Sequence, residues 1–369
     1  MTKRLSMEFQ LTTFFNTLKV YKPFLIFLSL FITAYVIRML TIPFPPDIMS
    51  DEKFYVTAAR SIISTGHDTN FEHPPLGKYL IGLGILIFGD NSFGWRFIGA
   101  LLGSTIPPLV YLIGKEVYNE NVGLLSGLFL LIDPLTYVMS CIAMLDIYLA
   151  FFVTCAFLAF VYQRYYMSAV LFGLACSVKF SAVFSICGVI AYLLYIRKWE
   201  LIQWFVIIPF LTFLIISLPI MLIEGIGKWL GSTLYYLSWH WNLPIDEYTE
   251  LLASRPEGWL FNIKPFTFRK HLYKRIANAN PYLYPLALPA SIYVVYMVSK
   301  NRVEHIELLP VLWFATQYGL FFLLPRTRQF IFYLLPSIPA ILLLTAWGIL
   351  AVLEILKNRY SRLNNAARQ

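Results

Sequence analysis

The sequence predicts an all-α, polytopic membrane protein with about ten transmembrane helices. Of its 369 residues, 59% are hydrophobic and only 13% are charged, whereas soluble domains carry about 25% charged residues. So few charges cannot cover a water-facing surface, and apolar runs long enough to cross a bilayer recur along the chain. These two observations indicate that lipid surrounds most of the protein.

Ten apolar segments are candidate spans, because a helix needs about 20 mostly apolar residues to cross a bilayer. They cover residues 23–44, 97–113, 122–140, 147–162, 166–178, 180–196, 201–223, 282–299, 308–324 and 330–353. The chain contains no internal repeat and no low-complexity tract. We therefore expect residues 1–369 to form a single integral membrane domain.

Basic residues predict the orientation of the spans. The first apolar run follows several Lys and Arg residues, is too long for a signal-peptide core and has no small-x-small cleavage site, which indicates an uncleaved span with a cytoplasmic N-terminus. The loops then expected in the cytoplasm contain Lys115, Arg164, Arg197, Lys198, Lys300 and Arg302. This agrees with the positive-inside rule and predicts a multi-pass protein with both termini cytoplasmic.

Charge and cysteine content exclude other classes. The net charge is +9, but many of the cations lie between apolar runs, so they indicate membrane orientation rather than nucleic-acid binding. The four cysteines, Cys141, Cys155, Cys176 and Cys187, have no CxxC or Cys/His spacing. They predict neither a zinc site nor a disulfide framework.

Two long segments are expected on the external side. Residues 45–95 include the apolar stretch 79–88, which is too short to span and predicts juxtamembrane helices on the outer surface. Residues 224–281 carry a basic cluster, Lys264, Arg269, Lys270, Lys274 and Arg275. Because the positive-inside rule disfavours cations there, either the topology differs or the cluster meets anionic groups.

The external segment 45–95 contains two motifs that bear chemistry. Asp51-Glu52 is either a pair of solvated loop charges or a general base with a neighbour that orients it. Glu72-His73-Pro74-Pro75-Leu76-Gly77-Lys78 follows. Its two prolines predict a rigid turn, which either has a purely structural role or holds the flanking charged residues in a fixed position.

Several charged residues lie in or beside the spans, all near the same membrane face as Asp51. They are Arg38, Arg96, Asp133, Asp146, Lys179, Arg326 and Arg328. Ionisable groups in membranes are costly and indicate function, although each one alone is equally typical of snorkelling or a structural ion pair. Acids and cations at one face suit transfer from a lipid-phosphate sugar, because cations stabilise the departing phosphate and a carboxylate accepts the acceptor proton.

The sequence resembles the dolichyl-phosphate-mannose protein mannosyltransferase family of GT-C membrane glycosyltransferases. The matching pieces occur in order along most of the chain. They are Asp51-Glu52, His73 to Lys78, Trp95-Arg96, Pro107 to Tyr111, Met144-Leu145-Asp146, Ser177 to Phe180, Trp239 to Pro244, Asn280-Pro281 and Arg328 to Pro336. Each piece is short, and the ordered set is what makes the resemblance specific.

The resemblance implies an inverting transfer in which Asp51 is the catalytic base and Glu52 a supporting carboxylate. Arg38 and Arg96 would serve the donor phosphate or orient the acid pair. The implied substrate-binding residues are Arg38, Glu72, His73, Lys78, Arg96, Asp146, Lys179, His240, Arg326 and Arg328. No metal and no other cofactor is expected. The donor would be a polyprenyl- or dolichyl-phosphate sugar, with mannose expected, and the acceptor a Ser/Thr hydroxyl of a protein or a lipid-linked glycan.

Residues 224–281 are too short for the large soluble insert of the eukaryotic family members, so the resemblance implies a compact prokaryotic or archaeal type of member in a cell membrane. The chain also departs from the family pattern at two positions. Cys141 stands where the family usually has Arg, and Phe71 where it usually has an acid, with Glu72 following. The alternative class is a transporter or flippase for a lipid-linked anion, which would need midplane charges and pseudo-symmetric halves. A second enzyme alternative, an oligosaccharyltransferase, would need a metal and a Trp-Trp-Asp type of motif that Trp239-His240-Trp241 does not match.

Overall fold

The computed structural model describes residues 2–242, 253–270, 273–324 and 329–366, with side chains except at 2–20, 237–242 and 270. The elements are α1 (Thr2–Thr41), α2 (Glu52–Thr65), α3 (Leu76–Phe88), α4 (Ser92–Val117), α5 (Glu120–Leu131), α6 (Pro134–Ser140), α7 (Leu145–Val161), α8 (Tyr165–Cys176), α9 (Ala182–Tyr195), α10 (Trp199–Ile202), α11 (Trp204–Glu224), α12 (Ile226–Asn242), α13 (Pro256–Trp259), β1 (Phe266–Lys270), β2 (Tyr273–Ala277), α14 (Ala287–Ser299), α15 (Leu308–Gly319) and α16 (Ile338–Ala366). Short 3-10 segments at Tyr284–Leu286, His305–Glu307, Leu320–Leu323 and Ile331–Ser337 adjoin the last three helices.

Each of the ten predicted spans overlaps one or more of these helices. Among the described residues, five helical stretches are long and apolar enough to cross a membrane: Tyr21–Thr41, Ser92–Val117, Trp199–Glu224, His305–Leu323 and Ile331–Ala366. The bent pair α5–α6 gives a sixth, and the other apolar helices have 17 residues or fewer. The mainly helical architecture is confirmed, whereas the count of ten and the surface position of α2 and α3 stay predictions.

The bend between α5 and α6 has a local cause. The two helices meet at 57°, where Pro134 opens α6 and Asp133 caps it by accepting a hydrogen bond from the Thr136 N–H at 2.8 Å. A proline at this position cannot continue the preceding helix, because it lacks the N–H donor. The carboxylate of Asp133 therefore serves the fold, and its other oxygen accepts from the Tyr284 hydroxyl.

Glycines allow the central helices to approach closely. A Cβ at Gly123 of α5 would lie 2.4 Å from the Tyr111 carbonyl oxygen of α4, and a Cβ at Gly84 of α3 would lie 2.2 Å from the Gly94 carbonyl oxygen. Such backbone contacts are typical of helix packing in membranes, where small residues give the van der Waals attraction. Helix α4 is thereby packed against α5 on one side and α3 on the other.

Helix α7 begins in a fully buried stretch. Every residue from 141 to 150 is buried, and the helix packs against α4, α8 and the 3-10 segment Ile331–Ser337. The loop 141–144 leads into Asp146, so the backbone around this acid is held on all sides. This packing fixes the position of the charged groups that face Asp51.

One hairpin departs from the all-α prediction. Strands β1 and β2 pair antiparallel, with Phe268 opposite Arg275. Phe266 and Phe268 are buried, whereas Thr267 and Arg269 are more exposed, and this alternation is the period of a half-buried strand. The search for long apolar runs missed this pattern because only alternate residues are apolar.

Candidate active site

Asp51 lies at the start of α2, immediately after Ser50, whose φ is +40°. The carboxylate caps no helix N–H, and no residue in the described ranges donates a hydrogen bond to it. Burial raises the pKa of the Asp51 carboxyl; Lys53 and Lys179 lower it in part, and Asp146 and Glu72 raise it further. A mostly buried carboxylate that no donor satisfies, with a raised pKa, suits the acceptance of a proton.

Glu52, the neighbour of Asp51, is fully buried and saturated with hydrogen bonds. One oxygen accepts from Arg96 Nε at 2.7 Å and Ala143 N at 2.8 Å. The other accepts from Arg96 Nη2 and Met49 N, both at 2.8 Å. Because all four positions around the carboxylate are occupied, Glu52 holds the backbone of α2 and the loop before α7 rather than facing a substrate.

Arg96 completes this buried ion pair. Its Nη1 donates to the carbonyl oxygens of Ile42 at 3.0 Å and Pro45 at 2.7 Å, and its Nη2 also donates to that of Asp47 at 2.9 Å. With the two bonds to Glu52, all five guanidinium N–H groups have acceptors. Of the two roles predicted for Arg96, this geometry favours orientation of the acid pair over contact with a phosphate.

Lys78 ties down the His-Pro-Pro turn. Its ammonium is completely buried and donates to the Asp68 carboxylate, to the Asn70 carbonyl oxygen at 2.6 Å and to the His73 carbonyl oxygen at 2.7 Å. An ammonium has three N–H donors, and all three are used here. The predicted substrate-binding role of Lys78 thus stays a prediction, and the observed contacts are with the turn.

The turn presents His73 and Glu72 toward α2. The His73 ring lies between Tyr55 of α2 and Tyr236 of α12, with ring centroids 5.9 and 5.6 Å apart. Glu72 is half-buried and close enough to Asp51 to raise its pKa. An apolar cavity opens beside His73, lined also by Phe180, Phe213 and Tyr236.

Asp146 and Lys179 form the second ion pair of the site. Lys179 Nζ donates to one Asp146 oxygen at 2.8 Å and lies 4.9 Å from the centroid of the Tyr333 ring. The other Asp146 oxygen is buried without a hydrogen-bond partner in the described part of the chain. Both residues act electrostatically on Asp51, so the structure brings together these two predicted site residues from α7 and the turn before α9.

Arg38 is a buried residue in the last turn of α1. Its Nε donates to Ser140 Oγ at 2.6 Å and its Nη1 to the Ala34 carbonyl oxygen at 3.1 Å, while Nη2 is buried with no hydrogen-bond partner among the described residues. Only 1% of the residue is exposed. Arg38 therefore contacts the end of α6, directly before the loop whose Ala143 N–H holds Glu52.

Three predicted site residues cannot be placed by their side chains. Arg326 and Arg328 lie outside the described residues. His240 belongs to α12, but the structure describes only its backbone. Their predicted contacts with substrate stay predictions.

Sequence reasoning missed two residues that shape the site. Asp68 pairs with Lys78, and Arg275 donates to the Cys141 carbonyl oxygen at 2.6 Å. A signal for Arg275 existed, since the basic cluster lies on the side that the positive-inside rule disfavours. The described residues contain no cluster of three or more His, Cys, Asp or Glu side chains that could hold a metal ion.

Sequence comparison confirms the resemblance. The sequence model of the family described as dolichyl-phosphate-mannose-protein mannosyltransferase matches residues 72–223. A polyprenol-phosphate-mannose–protein mannosyltransferase of Mycobacterium tuberculosis is 40% identical over 121 residues, which are 31% of this chain and 23% of that protein. The similarly named protein of Mycolicibacterium smegmatis is 35% identical over 141 residues, 36% of this chain and 27% of that protein.

The similarity extends to other lipid-phosphate sugar transferases. An undecaprenyl phosphate-alpha-4-amino-4-deoxy-L-arabinose arabinosyl transferase of Edwardsiella ictaluri is 26% identical over 215 residues, 52% of this chain and 38% of that protein. The match to the two mannosyltransferases spans about a quarter of their length. These named relatives are transferases, which favours the transferase interpretation over a transporter.

Solved structures share the fold at low sequence identity. ArnT from Cupriavidus metallidurans in the apo state superposes with a TM-score of 0.64 at 16% identity, covering 87% of this chain and 59% of ArnT. The Archaeoglobus fulgidus oligosaccharyltransferase AglB, solved with an inhibitory peptide and a dolichol-phosphate, gives a TM-score of 0.58 at 13% identity, covering 95% and 52%. The predicted GT-C-like architecture is confirmed by these two neighbours.

Proposed function

We propose that the chain transfers a sugar from a polyprenyl-phosphate carrier to an acceptor hydroxyl, with inversion and with Asp51 as general base. The observation that carries the proposal is the Asp51 carboxylate, which is mostly buried, accepts no hydrogen bond from a described residue and lies within the field of Lys179, Asp146 and Glu72. The resemblance of residues 72–223 to mannosyltransferases names the reaction class.

The carboxylate acts on the acceptor. An acceptor hydroxyl attacking the anomeric carbon loses its proton as the new bond forms, and Asp51 accepts it. The raised pKa strengthens Asp51 as a base, while Lys53 and Lys179 offset part of that rise. Glu52 and Arg96 hold Asp51 in place, since their hydrogen bonds fix both Met49 and the loop 42–47 that precede it.

The leaving group is a phosphate monoester of the lipid. Negative charge grows on it as the glycosidic bond breaks, so a cation aimed at it stabilises the transition state more than the ground state. Lys179 is a described cation suited to this task, because it acts electrostatically on Asp51 and its ammonium donates to a single Asp146 oxygen in the described part of the chain. Arg326 and Arg328 are proposed to stabilise the same negative charge on the phosphate. The aromatic cavity beside His73 offers an apolar wall for the carrier lipid.

The substrate classes follow from the relatives. The named mannosyltransferases support mannose on a polyprenyl phosphate and a protein hydroxyl as acceptor, and the lipid-linked glycan stays as the second acceptor. We further propose that the reaction needs no divalent metal, that ten helices span the membrane with α2 and α3 on its surface, and that Asp51 faces the non-cytoplasmic side of a prokaryotic cell membrane.

Transfer is tested directly with purified protein in detergent. Polyprenyl-phosphate mannose labelled in the sugar is incubated with a Ser/Thr-rich peptide in one arm and a lipid-linked glycan in another. We expect label to leave the lipid only with a suitable acceptor and only with Asp51 intact. Equal release by Asp51→Asn would contradict the proposed base, and movement of intact labelled lipid across liposomes without release would support a transporter instead.

A further inference from the structure

The outward face of the β1–β2 hairpin carries one pair of cations. Arg269 and Lys274 are direct cross-strand partners, and both are exposed. The next pair, Phe268 and Arg275, faces the protein, where Phe268 is fully buried. Alternation along the strands therefore turns Arg269 and Lys274 together toward the surroundings.

Arg269 and Lys274 place two like charges side by side with no compensating carboxylate among the described residues. Two cations directly opposite each other destabilise an antiparallel pair. Neither Arg269 nor Lys274 makes a salt bridge with any carboxylate in the described ranges. An anion bound between them would convert the repulsion into two charge-assisted contacts.

The hairpin is fixed at the end of a membrane span. Arg275 donates through Nη2 to the carbonyl oxygens of Thr41, at 3.0 Å, and Phe44, and through Nη1 to that of Cys141. Thr41 is the last residue of the apolar helix Tyr21–Thr41. The outward cations are therefore held at the height where this helix leaves the bilayer.

Aromatic side chains surround the same spot. A groove of about 220 Å³ runs between the end of α1 and β2, lined by Thr41, Phe44, Pro45, Tyr273, Lys274 and Arg275. Phe44 is 59% exposed and Tyr273 47% exposed. Exposed aromatics next to a cation at the end of a span are typical of the headgroup layer of a membrane.

We propose that Arg269 and Lys274 bind the phosphate of an anionic phospholipid headgroup, with Phe44 and Tyr273 lying at the headgroup level beside it. This interaction accounts for a basic cluster on the face that the positive-inside rule disfavours, because the cations then meet lipid phosphates. It does not depend on the proposed transfer reaction, since it concerns bulk lipid on the same side as Asp51. It also gives the hairpin a second anchor besides Arg275.

Lipid binding is measurable without any sugar donor. Purified protein in detergent is titrated with phosphatidylglycerol, which is anionic, or phosphatidylcholine, which is zwitterionic, and bound lipids are counted by native mass spectrometry. We expect wild type to bind phosphatidylglycerol in preference to phosphatidylcholine. The double variant Arg269→Gln/Lys274→Gln should bind phosphatidylglycerol about 30-fold more weakly, since each cation near an anionic lipid contributes about 1 kcal/mol and a tenfold change is about 1.4 kcal/mol.

A matched control removes two cations elsewhere. Lys357→Gln/Arg359→Gln changes exposed residues near the end of α16 and leaves the hairpin intact, so the preference for phosphatidylglycerol should persist. Both variants should give the thermal midpoint and elution volume of wild type. The proposal is overturned if the hairpin variant binds phosphatidylglycerol as wild type does, or if wild type does not distinguish the two lipids. An unchanged lipid affinity with a raised KM for the acceptor would assign the hairpin to the acceptor instead.

Discussion

Conversion to the amide is expected to lower the activity at Asp51 and the thermal stability at Glu52, although the two acids are adjacent in sequence. Asp51→Asn keeps the shape and removes only the proton acceptor. We expect kcat to fall by about 10²- to 10⁴-fold, the usual contribution of a general base. The thermal midpoint should not fall below the wild-type value, because no described residue donates a hydrogen bond to this carboxylate and an amide has no charge to desolvate.

Glu52→Gln is the matched comparison, and its effect follows from the four hydrogen bonds that the carboxylate accepts. An amide nitrogen at the first oxygen position would face Arg96 Nε and Ala143 N, and at the second it would face Arg96 Nη2 and Met49 N. Either orientation sets two donors against an NH₂ group. Breaking a buried pair from one side costs about 3–5 kcal/mol, which lowers the thermal midpoint by roughly 5 °C or more.

The assay combines two readouts on the same protein preparation. Release of labelled mannose from the lipid gives kcat, and a thermal melt in detergent gives the midpoint. The assignment of base and support is wrong if Asp51→Asn retains more than about a tenth of the wild-type kcat, a loss too small for general-base catalysis. It is equally wrong if Glu52→Gln has the thermal midpoint of wild type, since the hydrogen bonds around Glu52 would then contribute nothing to stability.

Three further predictions follow from the same contacts. The acid limb of the pH profile of kcat/KM should lie above the ordinary Asp pKa of about 3.9, because burial raises the pKa of Asp51. Lys179→Met should move this limb to still higher pH, because Lys179 lowers the pKa of Asp51. An unchanged limb in the Lys179→Met variant would refute the coupling between these two residues. Arg275→Lys should lower the thermal midpoint, because an ammonium cannot reproduce the planar contacts with the Thr41 and Cys141 carbonyl oxygens. A thermal midpoint equal to that of wild type would show that these contacts do not stabilise the protein. Transfer should proceed unchanged in excess EDTA, and loss of activity restored by Mg²⁺ or Mn²⁺ would contradict the metal-free proposal.

Hydropathy was enough to predict where the most apolar helices lie, because lipid requires each spanning segment to satisfy its own backbone hydrogen bonds. Each of the ten predicted segments overlaps at least one helix, whereas α2 and α12 lie outside them. The hairpin was not predicted, since its buried residues Phe266 and Phe268 alternate with polar ones. Its place against Thr41 depends on a contact between residues more than 200 positions apart, which no local pattern records.

The site was predictable in composition but not in pairing. The sequence placed Asp51, Asp146 and Lys179 at one membrane face, and the structure brings them within electrostatic reach of one another. It could not assign Arg96 to Glu52 or Lys78 to Asp68, because a buried cation has the same sequence signature whether it meets a substrate or a protein carboxylate. The structure distinguishes a cation that can bind a substrate from one that only pairs with a protein carboxylate by how many of its N–H groups already donate to protein acceptors.

That count limits how a donor phosphate can be bound. Arg96 and Lys78 have no N–H group left for a ligand, since five and three protein acceptors respectively already surround them. Recruiting either one would break a buried ion pair, at a cost of about 3–5 kcal/mol, which exceeds the value of about 1.5–3 kcal/mol for a charged hydrogen bond. The proposed donor phosphate would therefore bind to cations whose N–H donors are not all used by protein acceptors. Lys179 satisfies this condition, because among the described residues one Asp146 oxygen accepts a hydrogen bond from its ammonium, which leaves N–H donors for a phosphate.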